Sequence, residues 1–532
     1  MLLSITLMAF LSTSCSIIFG PTNSSDNSSD SSGDAPFSGS IDSGSADTTV
    51  PSSYSGSGTV TLYSINDFHG AIVENQSSGE MGLLNVGTYF KNKGEEDNTL
   101  LISSGDMFQG SIESNWNRGK FLTDAMDLIG FDAFTLGNHE FDWGLETLRS
   151  LRNRKQYDYK TPWLSSNIYT WDDTTKAASD TRVSDLGYSY STKVLENGLR
   201  VGFVGAIGSS QWTSITSGYV SDITFIDPVP VIKSISDTLR TKENCDLVIL
   251  VYHGSQDELL NQGLTDVSSV SNKKYVDSVF CAHTHTQETA TENGVIFTQN
   301  NSNGRNASKI TLSIGADKTV TKTSRVVLNW SSIVNEVNGK YDSDLQTLYN
   351  TYTAETDSVG SEVLATLSGE FSSSFANVAA DALLEEAISQ GYNPILSITN
   401  KVRSYPEAGE YTYADLLKAM PFENAAVIMK AKGSEIKNEA KYNFVSINPS
   451  FTSTINNNTV YTIVCIDYLA YHMNTEHEYN YFPSFQYVAD LKDSNNEIYG
   501  YRDITAAYLK NKGTLAADDY SSSLDKFNNK SL

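Results

Sequence analysis

TLGNHEFDWG, residues 135 to 144, sets an amide, an imidazole and two carboxylates in five positions, with Gly137 before them and Gly144 after. Just ahead, FDAFTLG (131–137) is mostly apolar, the composition of a short buried strand. A buried strand running directly into metal-ligating side chains points to an α/β sheet, where ligands gather at the carboxyl ends of strands. The rest of the chain repeats that pattern. TVTLYSI (59–65) runs into NDFHG, presenting Asp67 and His69, and TLLISSG (99–105) runs into Asp106. CDLVILVYHG (245–254) closes on His253, and SVFCAHT (278–284) leads into His283 and His285. LRVGFVGAIG (199–208) and GVIFTQN (294–300) read as two further buried strands.

Helical patterns lie between these runs, among them GKFLTDAMDLIG (119–130) and DPVPVIKSISDTLRTKE (227–243). Alternating strand and helix predicts an α/β domain over 58–330. Residues 331–358, with SDLQTLYNTYTAETDSV beginning at Ser343, read as an interdomain helix. A second α/β region, 359–532, carries a helix (FANVAADALLEEAISQ), a strand (NPILSIT) and strand pairs around AVIMKAKG. The tail DDYSSSLDKFNNKSL (518–532) is expected to fray.

The first fifteen residues, MLLSITLMAFLSTSC, read as a signal peptide whose small residues precede Cys15. Small residues before a cysteine resemble the lipobox of bacterial lipoproteins, although no Lys or Arg stands near Met1 and Ser12 replaces the usual Leu. Residues 16–57 are dominated by Ser, Gly, Asp, Asn and Thr and cannot bury a core, which predicts a flexible tether. An exported, lipid-anchored protein at the cell surface is expected. Past Cys15 only Cys245, Cys281 and Cys465 remain, which allows one bridge or three buried thiols. A net charge of −26 argues against a nucleic-acid polymer as partner, because polyanion affinity comes from clustered Lys and Arg.

A lone Asp after a strand is usually a turn or cap residue, and a lone His is more often hydrogen-bonded than a ligand. Yet five of the seven histidines fall at these strand ends, together with Asp67, Asp106 and Asn138. Mixed carboxylate, amide and imidazole donors suit Zn, Mn, Fe or Co, and their number suggests two divalent ions sharing a carboxylate. Two ions about 3.5–4 Å apart acidify a water and clamp an in-line phosphoryl displacement. HExxH, the mark of a zinc peptidase, is absent.

In order and spacing, NDFHG, SGD, GNHEFD, HG and HTH resemble the calcineurin-like metallophosphoesterases, and more narrowly the bacterial 5′-nucleotidase / UDP-sugar hydrolase / 2′,3′-cyclic phosphodiesterase family. The resemblance implies an N-terminal four-layer (α/β/β/α) metallophosphatase domain and a C-terminal α/β substrate-recognition domain. It assigns Asp67, His69, Asp106 and His285 to one metal. Asp106, Asn138, His253 and His283 would hold the other, so Asp106 bridges. His139, oriented by Asp142, would be the catalytic non-ligand, assisting the leaving oxygen as a bridging hydroxide attacks phosphorus. Glu140 stays a structural carboxylate. Ala282 stands where the family usually has Gly.

In the second domain, TNKVRSYPEAGEYTYADLLKAMPFEN (399–424) is similar to the family's recognition motifs. The similarity implies Arg403 on the anionic part of the substrate, Phe422 stacked on the base, and Asn400 beside them. FANVAADAL departs from LGNLVADA, SGEFSSS lacks the usual arginines, and DYLAYHMNTEHEYNYFPSF (467–485) replaces the closing GGDGY/F motif. Tyr479, Tyr481 or Phe482 would then supply a second stacking face. The expected activity is hydrolysis of 5′-nucleotides or related small nucleotide esters by a monomer. The alternatives are a cyclic nucleotide, UDP-sugar or non-nucleotide esterase, and a surface binding or adhesion protein with structural metals.

Overall fold

The computed structural model describes residue 44, residues 56–528 apart from 155, and residue 532. The leader with Cys15, and the tether apart from residues 44, 56 and 57, lie outside them. Among the described residues no helix is long and apolar enough to cross a membrane.

Two six-stranded sheets face each other in the N-terminal domain. The first runs Val320–Asn329, Asn306–Ile314, Gly58–Ile65, Thr99–Ser103, Ala133–Thr135, Trp163–Leu164. The second runs Glu288–Glu292, Val295–Gln299, Ser278–Phe280, Leu247–His253, Arg200–Ile207, Tyr190–Val194. The central pairings of both are parallel. Val60, Leu62, Leu100 and Ile102 of one sheet meet Val201, Phe203, Ile249 and Val251 of the other in a shared core. The outer face of the first sheet packs on helices Gly82–Gly94 and Lys120–Ile129, that of the second on Pro228–Thr241. These are the four expected layers. Strands buried on both faces explain why each reads as a continuous apolar run.

The C-terminal domain has one core, built on a mixed five-stranded sheet and helices Phe375–Ser389 and Tyr501–Lys512. Helix Ser343–Gly360 reaches it from the first domain. Its Tyr352 stacks on Phe121 at 4.7 Å, and the Tyr352 hydroxyl donates to Asp124.

One local expectation changes, one pair of alternatives is decided, and one element is new. The tail does not fray as a whole: Tyr520 and Phe527 are buried, and Lys526 donates to Asp381, beside the Tyr508 hydroxyl. Its Ser- and Asp-rich composition hides those two aromatic anchors. The three thiols are free and buried, which settles the cysteine alternatives. A small sheet of Ala177–Arg182, Ile168–Asp172 and Ile223–Phe225, not foreseen from sequence, adds to the first domain.

Candidate metal centre

Strands Gly58–Ile65, Thr99–Ser103 and Ser278–Phe280 run into left-handed turns whose side chains come together. Asp67, His69, Asp106, His283 and His285 all adopt positive φ, between 47° and 78°. Non-glycine residues avoid this region, and clusters of them mark functional sites. The turns aim side chains from separate strands at one point. His283 and His285 illustrate this: their strand stops at Phe280, so left-handed backbone, not strand alternation, brings both rings inward. Close approach accounts for two glycines. A Cβ on Gly137 would collide with Asp106 Oδ1 and the His253 ring, and one on Gly105 would meet Gly137 N at 2.6 Å.

Asp67, His69, Asp106 and His285 each offer a ligand atom, all within 4.8 Å of one another, and so do Asp106, His253 and His283. Asp106 belongs to both groups. Its Oδ2 is buried without a hydrogen-bond partner, 3.3 Å from His253 Nε2 and 3.9 Å from His69 Nε2. Asn138 Oδ1 lies 3.1 Å from His253 Nε2 and 3.0 Å from His283 Nδ1. All seven residues expected as ligands thus lie together. An orphaned carboxylate oxygen among nitrogen and amide-oxygen donors is the environment a divalent cation completes.

Surrounding groups orient these donors. His69 Nδ1 faces the Gln109 carbonyl at 3.0 Å, and His253 Nδ1 faces that of Ser104 at 2.8 Å. A ring nitrogen facing a carbonyl carries the proton, which leaves each Nε2 lone pair for the cluster. Sequence reasoning missed both carbonyls, since any residue type supplies one. Glu140 accepts from the backbone N–H groups of Asp106, Gly137 and Met107 at 2.7–2.8 Å. It fastens the two loops together through their backbone amides.

The electrostatics show what the cluster lacks. Burial drives the Asp67 carboxyl upward, and Asp106 adds to the shift. Burial lowers His69 to about 3 and His283 to about 4, keeping these rings neutral. Burial also opposes charge on His253, but Asp106 outweighs it and lifts the ring to about 9. Against burial, the neighbouring histidines hold the Asp106 carboxyl well below its usual range. One buried carboxyl is thus pushed toward its neutral form beside another kept charged, an imbalance that metal loading relieves.

His139 stands beside this cluster. Its ring lies 5.1 Å from that of His69, its Nδ1 is 2.7 Å from Asp142 Oδ2, and its backbone N–H donates to Asp106 Oδ1. Burial works against its protonated form, but Asp142 and Asp106 together raise it. Phe422 of the second domain stacks on His139 at 5.8 Å, and the Arg403 guanidinium lies 5.1 Å from the Phe422 ring centre. A cavity of about 650 Å³ opens beside Asp142, lined by Asn400, Arg403, Phe422 and Tyr481. Tyr468 and Asn424, which sequence reading did not single out, also line it. Of the proposed stacking aromatics, Phe482 is buried in the core and Tyr479 packs on Phe485, which leaves Tyr481 at the cavity. A second cavity of about 550 Å³ is lined by His69, His139, His285 and again Arg403.

Comparison with known proteins places this geometry. Residues 60–287 match the calcineurin-like phosphoesterase family, and residues 355–440 match the 5′-nucleotidase, C-terminal domain family. The chain thus carries a calcineurin-like phosphoesterase domain followed by a 5′-nucleotidase C-terminal domain. Proteins of these families are metal-dependent phosphoesterases. The chain is 23% identical to the endonuclease YhcR of Bacillus subtilis over 71% of its own length and 32% of that protein. It is 34% identical to the rat 5′-nucleotidase over 33% of its length and 29% of that protein. It spans about a third of the length of these curated relatives. A 5′-nucleotidase precursor from Thermus thermophilus has the same fold, with a TM-score of 0.66 at 17% identity, covering 86% of this chain and 97% of that one.

Proposed function

We propose that the chain is an exported phosphoesterase that releases phosphate from 5′-nucleotides or related nucleotide esters. The observation that carries this reading is the junction of His139 with Arg403 and Phe422, where a cavity of the second domain meets the candidate metal cluster of the first. Asp67, His69, Asp106 and His285 would hold one divalent ion, and Asp106, Asn138, His253 and His283 the other. Such a pair supplies Lewis-acid polarisation of the phosphoryl group and acidifies a water.

The chain's own residues do the rest. Asp142 fixes the proton on His139 Nδ1, so Nε2 turns to the substrate and delivers a proton to the leaving oxygen. The Arg403 guanidinium, close enough to depress the charge of His139, neutralises the phosphate. Phe422, Tyr468 and Tyr481 offer flat surfaces for a base, and Asn400 and Asn424 offer polar edges. The apolar leader and Cys15 support action at the cell surface, with the tether as spacer.

A second reading is a diesterase. Two cavities, one lined by Asp142 and the other by His139, share Arg403 and give room for two groups on one phosphate. Chromatography of the products formed from AMP, UDP-glucose, 2′,3′-cyclic AMP and p-nitrophenyl phosphate in added Mn²⁺ separates these, with loss of a single-stranded oligonucleotide as a further arm. Turnover of AMP above the others supports the nucleotidase. Turnover of aryl esters alone, or of the oligonucleotide alone, overturns it.

A further inference from the structure

A hairpin of the second domain is held in a slot on the first. Met473 and Tyr479 pair as an antiparallel bridge, and Asn474 closes the turn by accepting from the Glu476 and Glu478 amides. At the tip His477 stands at φ +58°. Its ring lies between two indoles of the first domain, 3.8 Å from Trp171 at 5° and 4.2 Å from Trp212 at 27°. Trp212 is itself fixed, its Nε1 donating to the carbonyls of Val220 and Ile223. Two more contacts cross between the domains: His472 Nε2 donates to the Thr213 carbonyl, and the Met473 amide donates to Ser217 Oγ.

Directly after the hairpin come Asn480 and Tyr481, which line the larger cavity. The Asn480 amide donates to the His472 carbonyl, and Tyr481 stacks on His472 at 3.8 Å. Ser214 and Thr216, from the segment that receives His472 and Met473, line the same cavity. His477 is not among its lining residues.

We propose that His477 is a positioning residue: pinned between Trp171 and Trp212, it holds the 473–479 hairpin so that Asn480 and Tyr481 form a wall of the substrate cavity. A side chain with a Cβ keeps a left-handed backbone only where its surroundings over-determine it. Glycine or asparagine is the ordinary choice at such a turn, and here a ring stacked on both faces holds a histidine instead. This assignment rests on the cavity being the leaving-group site of a phosphate ester, and its test separates the two ideas.

His477→Gly keeps the left-handed turn and removes the ring, while His477→Phe restores a flat ring to the slot. In the metal-loaded protein His477→Gly is expected to raise KM for AMP about tenfold, with kcat within about twofold, as loss of an aromatic stack on two faces implies. KM for glycerol 3-phosphate, whose small leaving group does not reach Tyr481, stays put. Amide hydrogen exchange at Asn480 and Tyr481 speeds at least about tenfold. His477→Phe recovers both readouts. Wild-type KM and wild-type exchange in His477→Gly overturn the proposal, and so does an equal loss on AMP and glycerol 3-phosphate. If wild-type protein hydrolyses p-nitrophenyl phosphate and not AMP, the nucleotide reading falls. His477 is then judged by the same criteria on exchange and on KM for p-nitrophenyl phosphate.

Discussion

Glu140→Ala is the substitution whose consequence is most directly calculable. The carboxylate sits outside the proposed ligand set, yet it accepts from the amides of Asp106, Gly137 and Met107. Alanine leaves three buried N–H groups without acceptors, at about 1–3 kcal/mol each, or about 6 kcal/mol in sum. Part of that is returned, because the variant no longer buries a carboxylate that burial and the neighbouring Asp106 both disfavour. A net destabilisation of about 3 kcal/mol is expected. Urea unfolding in EDTA measures it free of metal coupling, with a lower midpoint and an unchanged m-value. The loops bearing Asp106 and Asn138 lose their fastening, so metal content by elemental analysis falls too. Glu140→Gln keeps one oxygen but sets an NH₂ donor against an amide donor, and should fall between. A Glu140→Ala protein within about 1 kcal/mol of wild type, retaining its full metal content, would refute the fastening role.

Three further outcomes follow from the site. His139→Ala is expected to retain its metals and lose about 10²–10⁴-fold in kcat, whereas Asp106→Ala loses the metals themselves; full rate in the former refutes the proton-donor role. Asp142→Asn removes the carboxylate that raises His139. Since the protonated ring is the active form, the alkaline limb of the kcat profile should move to lower pH by about 1–3 units, and an unmoved limb argues against the pairing. Burial pushes Asp467 up to about 6 from 3.8. The folded state therefore favours its protonated form. Its charged form costs nothing below pH 4 and its full penalty above pH 6, so wild-type stability should fall by about 3 kcal/mol across that window. Thermal melts of Asp467→Asn should lack that slope.

The sequence made the central sheets legible because their strands are covered on both faces and read as unbroken apolar runs, most of them leading into a residue of unusual chemistry. It made the cluster legible for the same reason: five histidines at strand ends are hard to explain singly. What it could not show were groups that any residue supplies, such as the carbonyls of Gln109 and Ser104 that aim His69 and His253. Nor did it show the left-handed turns, for the usual sign is glycine and these positions hold Asp and His. Local pattern was weakest where two distant segments meet. Trp171 and Trp212 look like ordinary aromatics until His477, more than 260 residues downstream of the second, is laid between them. The tail misled because composition reports average polarity, and two buried rings are enough to dock it.

Helix Ser343–Gly360 has a mechanical consequence. It lies along helices Gly82–Gly94 and Lys120–Ile129 of the first domain, with Tyr352 on Phe121 and Lys91 paired to Asp342 at its start, and it also meets helix Tyr413–Ala419 of the second. The chain passes from this helix into the second domain over the few bonds between Gly360 and the strand Val363–Ser368. Gly360 has no room to spare there, since a Cβ would press on Ile112 and Ala414. The two domains are thus tied twice: by a tightly packed chain crossing at Gly360, and by a clasp of one imidazole and two indoles.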